Sequence, residues 1–368
     1  MLSGNRGEWT ETYVFLKLLA DGKLYAADIN LNPKEEVYYP IIKINRIDNG
    51  RKRQYCLNGK VIIIKGKTKE VLGEIPIQDF KNNAFELLTL IKKTKGRSFE
   101  LPAIEKFLKS IDISSIKASK QKKSDIEIIV HDLHTGLKPE LGFSIKSMLG
   151  KDATLFNAGD TTNFIYELIG PNIKTIDIEN INKIIDEPKI ETRLKKLESK
   201  GYKLKFYKIE SLMFQLNLQL IDNALPTILS NLLLLKYLGV SSPKLLDLLD
   251  ELKKLNPLDF DLSKDHPFYE YKLKNFLTDT ALGMTPAALW RGQYCATGGM
   301  IVVKKSGEVL CYHIYNRSEF QDYLLNNTRL EQADTTRYNF GKLYRENSKV
   351  FIKLNLQVRF KNDKLCKK

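Results

Sequence analysis

The sequence predicts a mixed α/β (α+β) protein, and three observations carry that expectation. Runs rich in β-branched and aromatic residues alternate with a period of two and are broken by Asn58-Gly59 and Ser306-Gly307, the composition of hairpins. Other stretches place apolar residues at helical spacing, as in Trp9, Tyr13, Leu16 and Leu19 before Gly22. Hydrophobic residues make up 43% and aromatics 10% of 368 residues, enough for a sizeable core divided among two or three subdomains.

The elements follow in order. An amphipathic helix opens the chain and ends at Gly22. Strands are predicted at Tyr38–Asn45, Arg53–Cys56 and Val61–Lys65, then helices near Asn83–Lys93 and Pro102–Ile111. Ser114–Ser124 is polar, basic and aperiodic, so it reads as a linker. Asp125–Ser147 has the pattern of two strands turning around His134-Thr-Gly136. Helices are expected at Thr192–Ser199, Leu212–Leu238, Pro243–Lys254 and Tyr269–Leu277, with a strand at Lys203–Ile209. A loop at Trp290–Gly299 leads to a hairpin of Met300–Lys304 and Val309–Tyr315. A helix at Ser318–Asn326 and a strand at Val350–Arg359 close the chain. The resulting segments are an N-terminal core helix (1–30), a strand-rich and helical insertion (31–113), the linker (114–124), a central α/β segment (125–210), a helical subdomain (211–289) and a C-terminal strand-and-helix segment (290–368).

Charge narrows the function. Lys and Arg exceed Asp and Glu by 15, and a field of that sign favours polyanions, nucleic acid before an anionic membrane surface. Cys56, Cys295, Cys311 and Cys366 are too scattered for a zinc ribbon or a disulfide framework, which suits a reducing cytoplasm. The N-terminus has no apolar run of a signal peptide, and the apolar stretch Leu212–Leu238 is broken by Gln215, Asn217, Gln219, Asp222, Asn223 and Pro226. A membrane role is therefore not expected.

The hairpin Asp125–Ser147 carries the chemistry. On its second strand Phe143 and Ile145 share one face while Ser144 and Lys146 share the other; on its first, Asp125 and Glu127 oppose Ile126, Ile128 and Val130. With the turn centred near His134-Thr135, Asp125 falls opposite Ser144, so acid and lysine converge. Oxygen ligands of this kind hold Mg²⁺, and a lysine beside them can orient water or stabilise charge on a phosphoryl transition state. Taken alone, such a hairpin is equally an ordinary surface ribbon. Glu8 and Glu11 on the first helix add carboxylates, although acids are common in a first helical turn for dipole reasons.

The chain resembles the HpaII family of type II restriction endonucleases, within the PD-(D/E)XK nuclease superfamily. The segments that carry the resemblance are GEWTETYVFLKLLADGKLYAAD from Gly7, DIEIIVHDLHTGLKPELGFSIKSMLG from Asp125, TLFNAGDTTNFIYELIG from Thr154, ATGGMIVVKKSGEVLCYHIYNRSEFQDYLLNNTRLE from Ala296 and FIKLNLQVRF from Phe351. The resemblance implies a central mixed sheet flanked by helices, Mg²⁺-dependent cleavage of double-stranded DNA at CCGG, and 5′-phosphate and 3′-hydroxyl ends. Carried over by position, the site is Asp125, Ser144-Ile145-Lys146 and Glu11. Ser144 departs from the superfamily pattern, because a hydroxyl is no anionic ligand. Glu11 is the first candidate to replace it, followed by Glu127, Asp160 and Glu167, and Asp132 rivals Asp125.

For reading a guanine-rich target, the fork of arginine matches O6 and N7. Asn326–Arg337 concentrates suitable side chains, with Arg329 and Arg337 first and Asn327 and Gln332 beside them; Arg291 and Gln293 are further candidates. Basic runs such as Arg51-Lys52-Arg53 and Lys120–Lys123 suit phosphates, which position without specifying. His131 and His134 add nothing the scheme needs. A palindromic target suits a homodimer, and a host needs a cognate DNA methyltransferase as a separate chain. Two other readings share these features: an inactive DNA-binding protein on a nuclease fold, motivated by Ser144, and a structure-specific repair nuclease.

Overall fold

From Lys23 onward the N-terminal strands build one large sheet, while Ser3–Gly4 pairs separately with Phe99–Glu100. The computed structural model describes residues 1–116, 124–133, 135–150 and 152–361. The Cα positions cluster into two units, Met1–Ala153 with Ala281–Gly283 and Tyr294–Tyr323, and Thr154–Thr280 with Met284–Gln293 and Leu324–Lys368. Residues 125–153 thus join the N-terminal segments, whereas 154–210 belong to the second unit.

Helix α1 (Arg6–Asp21) begins at a capping box in which Asn5 and Glu8 satisfy each other's backbone amides. It ends at Gly22, whose φ of 69° is the left-handed conformation that stops a helix. Its apolar face buries Trp9, Tyr13, Phe15, Leu16 and Leu19. Nine strands follow in the same unit: β1 (Lys23–Ala27), β2 (Pro33–Asp48), β3 (Arg51–Asn58), β4 (Val61–Lys65), β5 (Val71–Pro76), β6 (Ile126–Val130), β7 (Glu140–Ser147), β8 (Gly299–Val303) and β9 (Val309–His313). They form one mixed sheet in the order β1-β9-β8-β7-β6-β2-β3-β4-β5, and β1 also pairs with β2, so six strands close on themselves. Only β7–β8 and β1–β9 are parallel. Helix α2 (Ile77–Lys93) and the helix Pro102–Ser110 complete the unit, and their buried residues join those of α1 and the sheet in one core.

The second unit holds a three-stranded sheet (Thr154–Phe156, Val358–Phe360, Thr328–Leu330) and a four-stranded one (Lys203–Ile209, Asn163–Ile169, Lys349–Asn355, Leu343–Glu346). Its helices include α3 (Leu212–Ile221) and α4 (Leu225–Tyr237), which meet at 109°. No single helix among the described residues is long and apolar enough to cross a membrane.

Several sequence expectations are corrected. The strand expected at Tyr38–Asn45 runs from Pro33 to Asp48, because its start pairs with β1 and its end with β3, extensions that its own alternation does not show. The helix expected from Asn83 starts at Ile77. Leu212–Leu238 is two helices, since Asp222 accepts from the Ala224 amide at the break and Pro226 opens the second. The strand Val350–Arg359 divides into Lys349–Asn355 and Val358–Phe360, which serve different sheets. Strands at Val71–Pro76, Asn163–Ile169 and Leu343–Glu346 and the helix Thr175–Asn182 carry too little periodicity to be seen in sequence. Much of the Ser114–Ser124 linker, the Lys120–Lys123 run, His134 and Cys366 lie outside the described residues.

Candidate active site

The hairpin of β6 and β7 has Ile126 opposite Phe143 and Glu127 opposite Gly142. That register sets Asp125, one residue before β6, across from Ser144, as equal distance from the turn requires. The Asp125 amide donates to the Phe143 carbonyl, which extends the ladder by one bond. Parallel strand β8 supports β7 from the other side, pairing Met300 with Ser144 and Val302 with Lys146. Gly298 allows this approach: a Cβ there would lie 2.5 Å from the Phe143 ring. Helix α1 is tied to β7 by a hydrogen bond between the Thr10 and Ser147 hydroxyls (3.1 Å).

Four charged side chains act on one another here. The Asp125 carboxylate accepts from the Ile145 amide at 2.6 Å. Burial raises the Asp125 carboxyl above its usual range, opposed by the Ile145 amide, by Lys146 and by the Ser144 hydroxyl. Glu11, on the first turns of α1, is pushed up to about 8 by burial and by the like charges of Asp125 and Glu8. Arg46 and Lys146 pull it back down. Lys146 is pushed below the usual lysine range by burial, opposed by Asp125 and Glu11. Two carboxylates and a lysine from three separate elements thus share one half-buried locus, and Ser144, 8% exposed, lies among them.

Arg46 is the member that sequence reading missed. It lies on β2 beyond the point where the strand was expected to end, inward-facing at two-residue spacing from Ile44 and Asp48. Its Nη2 donates to the Ser115 carbonyl and its guanidinium sits 5.7 Å from the Phe15 ring, one turn beyond Glu11. Its Nε is buried without a hydrogen-bond partner. A charge repeated on the inward face of a strand is the signal that would have found it.

The donors suit a hard cation. Burial and like-charge repulsion disfavour the ionised forms of Glu11 and Asp125, a cost that a bound divalent ion would relieve. Their oxygens, with the Ser144 hydroxyl, are the ligand type such ions take, and Mg²⁺ retains several waters of its own. No group of three or more His, Cys, Asp or Glu able to hold a metal occurs among the described residues.

The family described as HpaII restriction endonuclease matches residues 5–360. The chain is also 46% identical over 361 residues to the type II restriction enzyme HpaII of Haemophilus parainfluenzae, covering 97% of this chain and 98% of that protein. This chain belongs to the HpaII restriction endonuclease family. It is accordingly a type II site-specific deoxyribonuclease whose substrate is double-stranded DNA. No solved structure matches the chain.

The other candidate residues of this family member fall elsewhere. Asp132 is 2% exposed at the turn end of the hairpin, where its carboxylate accepts from the Thr135 amide and hydroxyl. Glu127, between Asn45 and Gly142, lines a cavity of about 170 Å³ with Lys52, Lys67, Lys69 and Glu140. Asp160 and Glu167 belong to the second unit, Asp160 exposed and Glu167 ion-paired with Lys349 at 2.9 Å. Arg329 lies on a strand rather than in a loop, and its fork is engaged by Glu331, which also accepts from Arg359. Arg337 is exposed beside Asp334 (3.5 Å). Asn327 and Gln332 are half-buried, and Arg291 and Gln293 are exposed in the loop that follows Trp290.

Proposed function

We propose that this restriction endonuclease hydrolyses double-stranded DNA at CCGG in a Mg²⁺-dependent reaction that leaves 5′-phosphate and 3′-hydroxyl ends. The observation that carries the reading is the convergence of Glu11, Asp125 and Lys146, which supplies from α1 the carboxylate that Ser144 lacks. In this reading the first unit is a PD-(D/E)XK core. Asp125 and Glu11 would hold the cation, which supplies charge neutralisation at the scissile phosphate and a more acidic bound water.

The chain's own groups do the rest. The Ile145 amide fixes one Asp125 oxygen, leaving the other to face the site. Burial strips Lys146 of water, so its ammonium acts at close range on a phosphate oxygen or on the attacking water, where a solvated lysine would be screened. Arg46 lowers the cost of placing charge on Glu11. Base reading falls to the second unit, with Arg337 and Arg291 accessible and Arg329 held by Glu331. Two copies acting on the two strands of a palindrome, protected by a separate methyltransferase, complete the proposal.

Digestion of a sequenced plasmid with mapping of the ends tests it. Defined fragments ending within CCGG in Mg²⁺ and none in EDTA are expected. Lys146→Ala should abolish cutting while specific binding persists. Random or junction-dependent cutting would replace this reading with a repair nuclease, and no cutting in any divalent ion with a DNA-binding protein.

A further inference from the structure

Helix α3 presents an apolar stripe to solvent. Leu212, Leu216 and Leu220 recur at every fourth residue and are 66%, 51% and 58% exposed, with Met213 beside them at 37%. The opposite face is anchored: Phe214 and Leu218 are buried, and Asn217 donates to the Thr285 and Ala288 carbonyls and accepts from the Trp290 amide. Those bonds bring Leu289, itself 58% exposed, alongside the helix and widen the patch. None of the ten residues of α3 is charged. A contiguous apolar stripe on a rigid helix marks an interaction surface rather than scattered exposure.

We infer that this stripe is the contact through which two copies of the chain associate. Charge selects the partner. With a formal charge of +15, most surfaces of one copy repel another, whereas the uncharged stripe does not. The same lack of cations and donors makes it unsuited to DNA. Its spacing is self-complementary: two antiparallel α3 helices about a two-fold axis set Leu216 against Leu216 and Leu212 against Leu220. Gln215, Gln219 and the Asp222–Lys272 ion pair supply a polar rim. A second copy would bring a second Asp125–Lys146 set to the other strand of the duplex. The inference rests on the proposal that two copies share the target, and it names the surface they use. A standard interface covers roughly 800 Å² per partner, so the stripe is its centre and not its whole extent.

Sedimentation of the full chain, wild type and Leu216→Asp, decides the matter, with circular dichroism and melting confirming that the exposed substitution leaves the fold intact. The wild type should be dimeric at micromolar concentration, and Leu216→Asp should weaken association by at least about 30-fold, the scale of an interface hot spot. With plasmid substrate the wild type should yield linear DNA directly, and the variant should accumulate nicked circles. Leu216→Cys should cross-link to itself through a short bis-maleimide above the wild-type background. A wild type that stays monomeric while linearising plasmid, a folded Leu216→Asp that remains dimeric, or a monomer that pellets with phosphatidylcholine vesicles would each overturn the inference. Absence of any cleavage by the wild type would instead refute the proposed function, while sedimentation would still decide the interface.

Discussion

Replacing Glu11 by Gln should stabilise the protein and abolish its activity, by amounts the site geometry sets. In the fold Glu11 titrates near 8 in place of 4.5, because burial and the Asp125 carboxylate oppose its charge. An acid whose pKa is raised on folding contributes stability while protonated, in full below pH 4.5, and that contribution is lost as pH rises towards 8. At about 1.36 kcal/mol per unit, the loss by pH 7 is roughly 3 kcal/mol. Glutamine keeps the shape and does not titrate. The melting temperature of Glu11→Gln in EDTA should therefore match wild type below pH 4.5 and exceed it by several degrees at pH 7. The gap should be largest above pH 8. Adding Mg²⁺ should raise the wild-type melting temperature and leave the variant's nearly unchanged. A gap independent of pH, or a variant less stable than wild type at pH 7, would refute the reasoning that the fold opposes ionisation of Glu11. Cleavage by the variant at the wild-type rate would remove Glu11 from the site.

Other consequences follow from neighbouring contacts. Arg46→Met removes the cation facing Glu11, so cleavage should require more Mg²⁺ for half-maximal rate while DNA affinity in Ca²⁺ stays within a few-fold, as read by titration of each ion. Gly299→Ala should destabilise the first unit by roughly 3 kcal/mol or more, measured by denaturant unfolding, because φ is +113° and the new Cβ would sit 2.0 Å from the Tyr312 carbonyl oxygen. Arg337→Ala should lower discrimination between CCGG and singly altered sites by about 1–3 kcal/mol in competition binding, whereas a mere phosphate contact would weaken all sites alike. Phe143→Ala should cost about 3–5 kcal/mol of stability, since its ring is fully buried on the core face of β7.

Local patterns made part of this site legible. The alternation in Asp125–Ser147 separates Phe143 from Ser144 and Lys146 without reference to any other segment, because side-chain direction in a strand depends only on parity. Counting from the turn placed Asp125 opposite Ser144 for the same reason. Arg46 was not legible, because the end of β2 beyond Asn45 is held by its pairing with β3, where Arg46 lies opposite Arg53, rather than by an apolar alternation of its own. The two units were not legible either, since residues 294–323 return to the first after the chain has built most of the second.

The amino-acid sequence by itself determined the basic charge, the pattern of the acid-and-lysine hairpin and membership of a restriction endonuclease family matching residues 5–360. Those are properties of composition, of parity along one strand and of likeness along the chain. Only the tertiary structure decided that Glu11 meets Asp125 and Lys146, that Arg46 faces Glu11, and that Leu212, Leu216 and Leu220 are left uncovered. Whether two charges separated by more than a hundred residues meet depends on helix α1 docking against the sheet, and that docking is set by the burial of Trp9, Tyr13 and Phe15 rather than by the charges themselves.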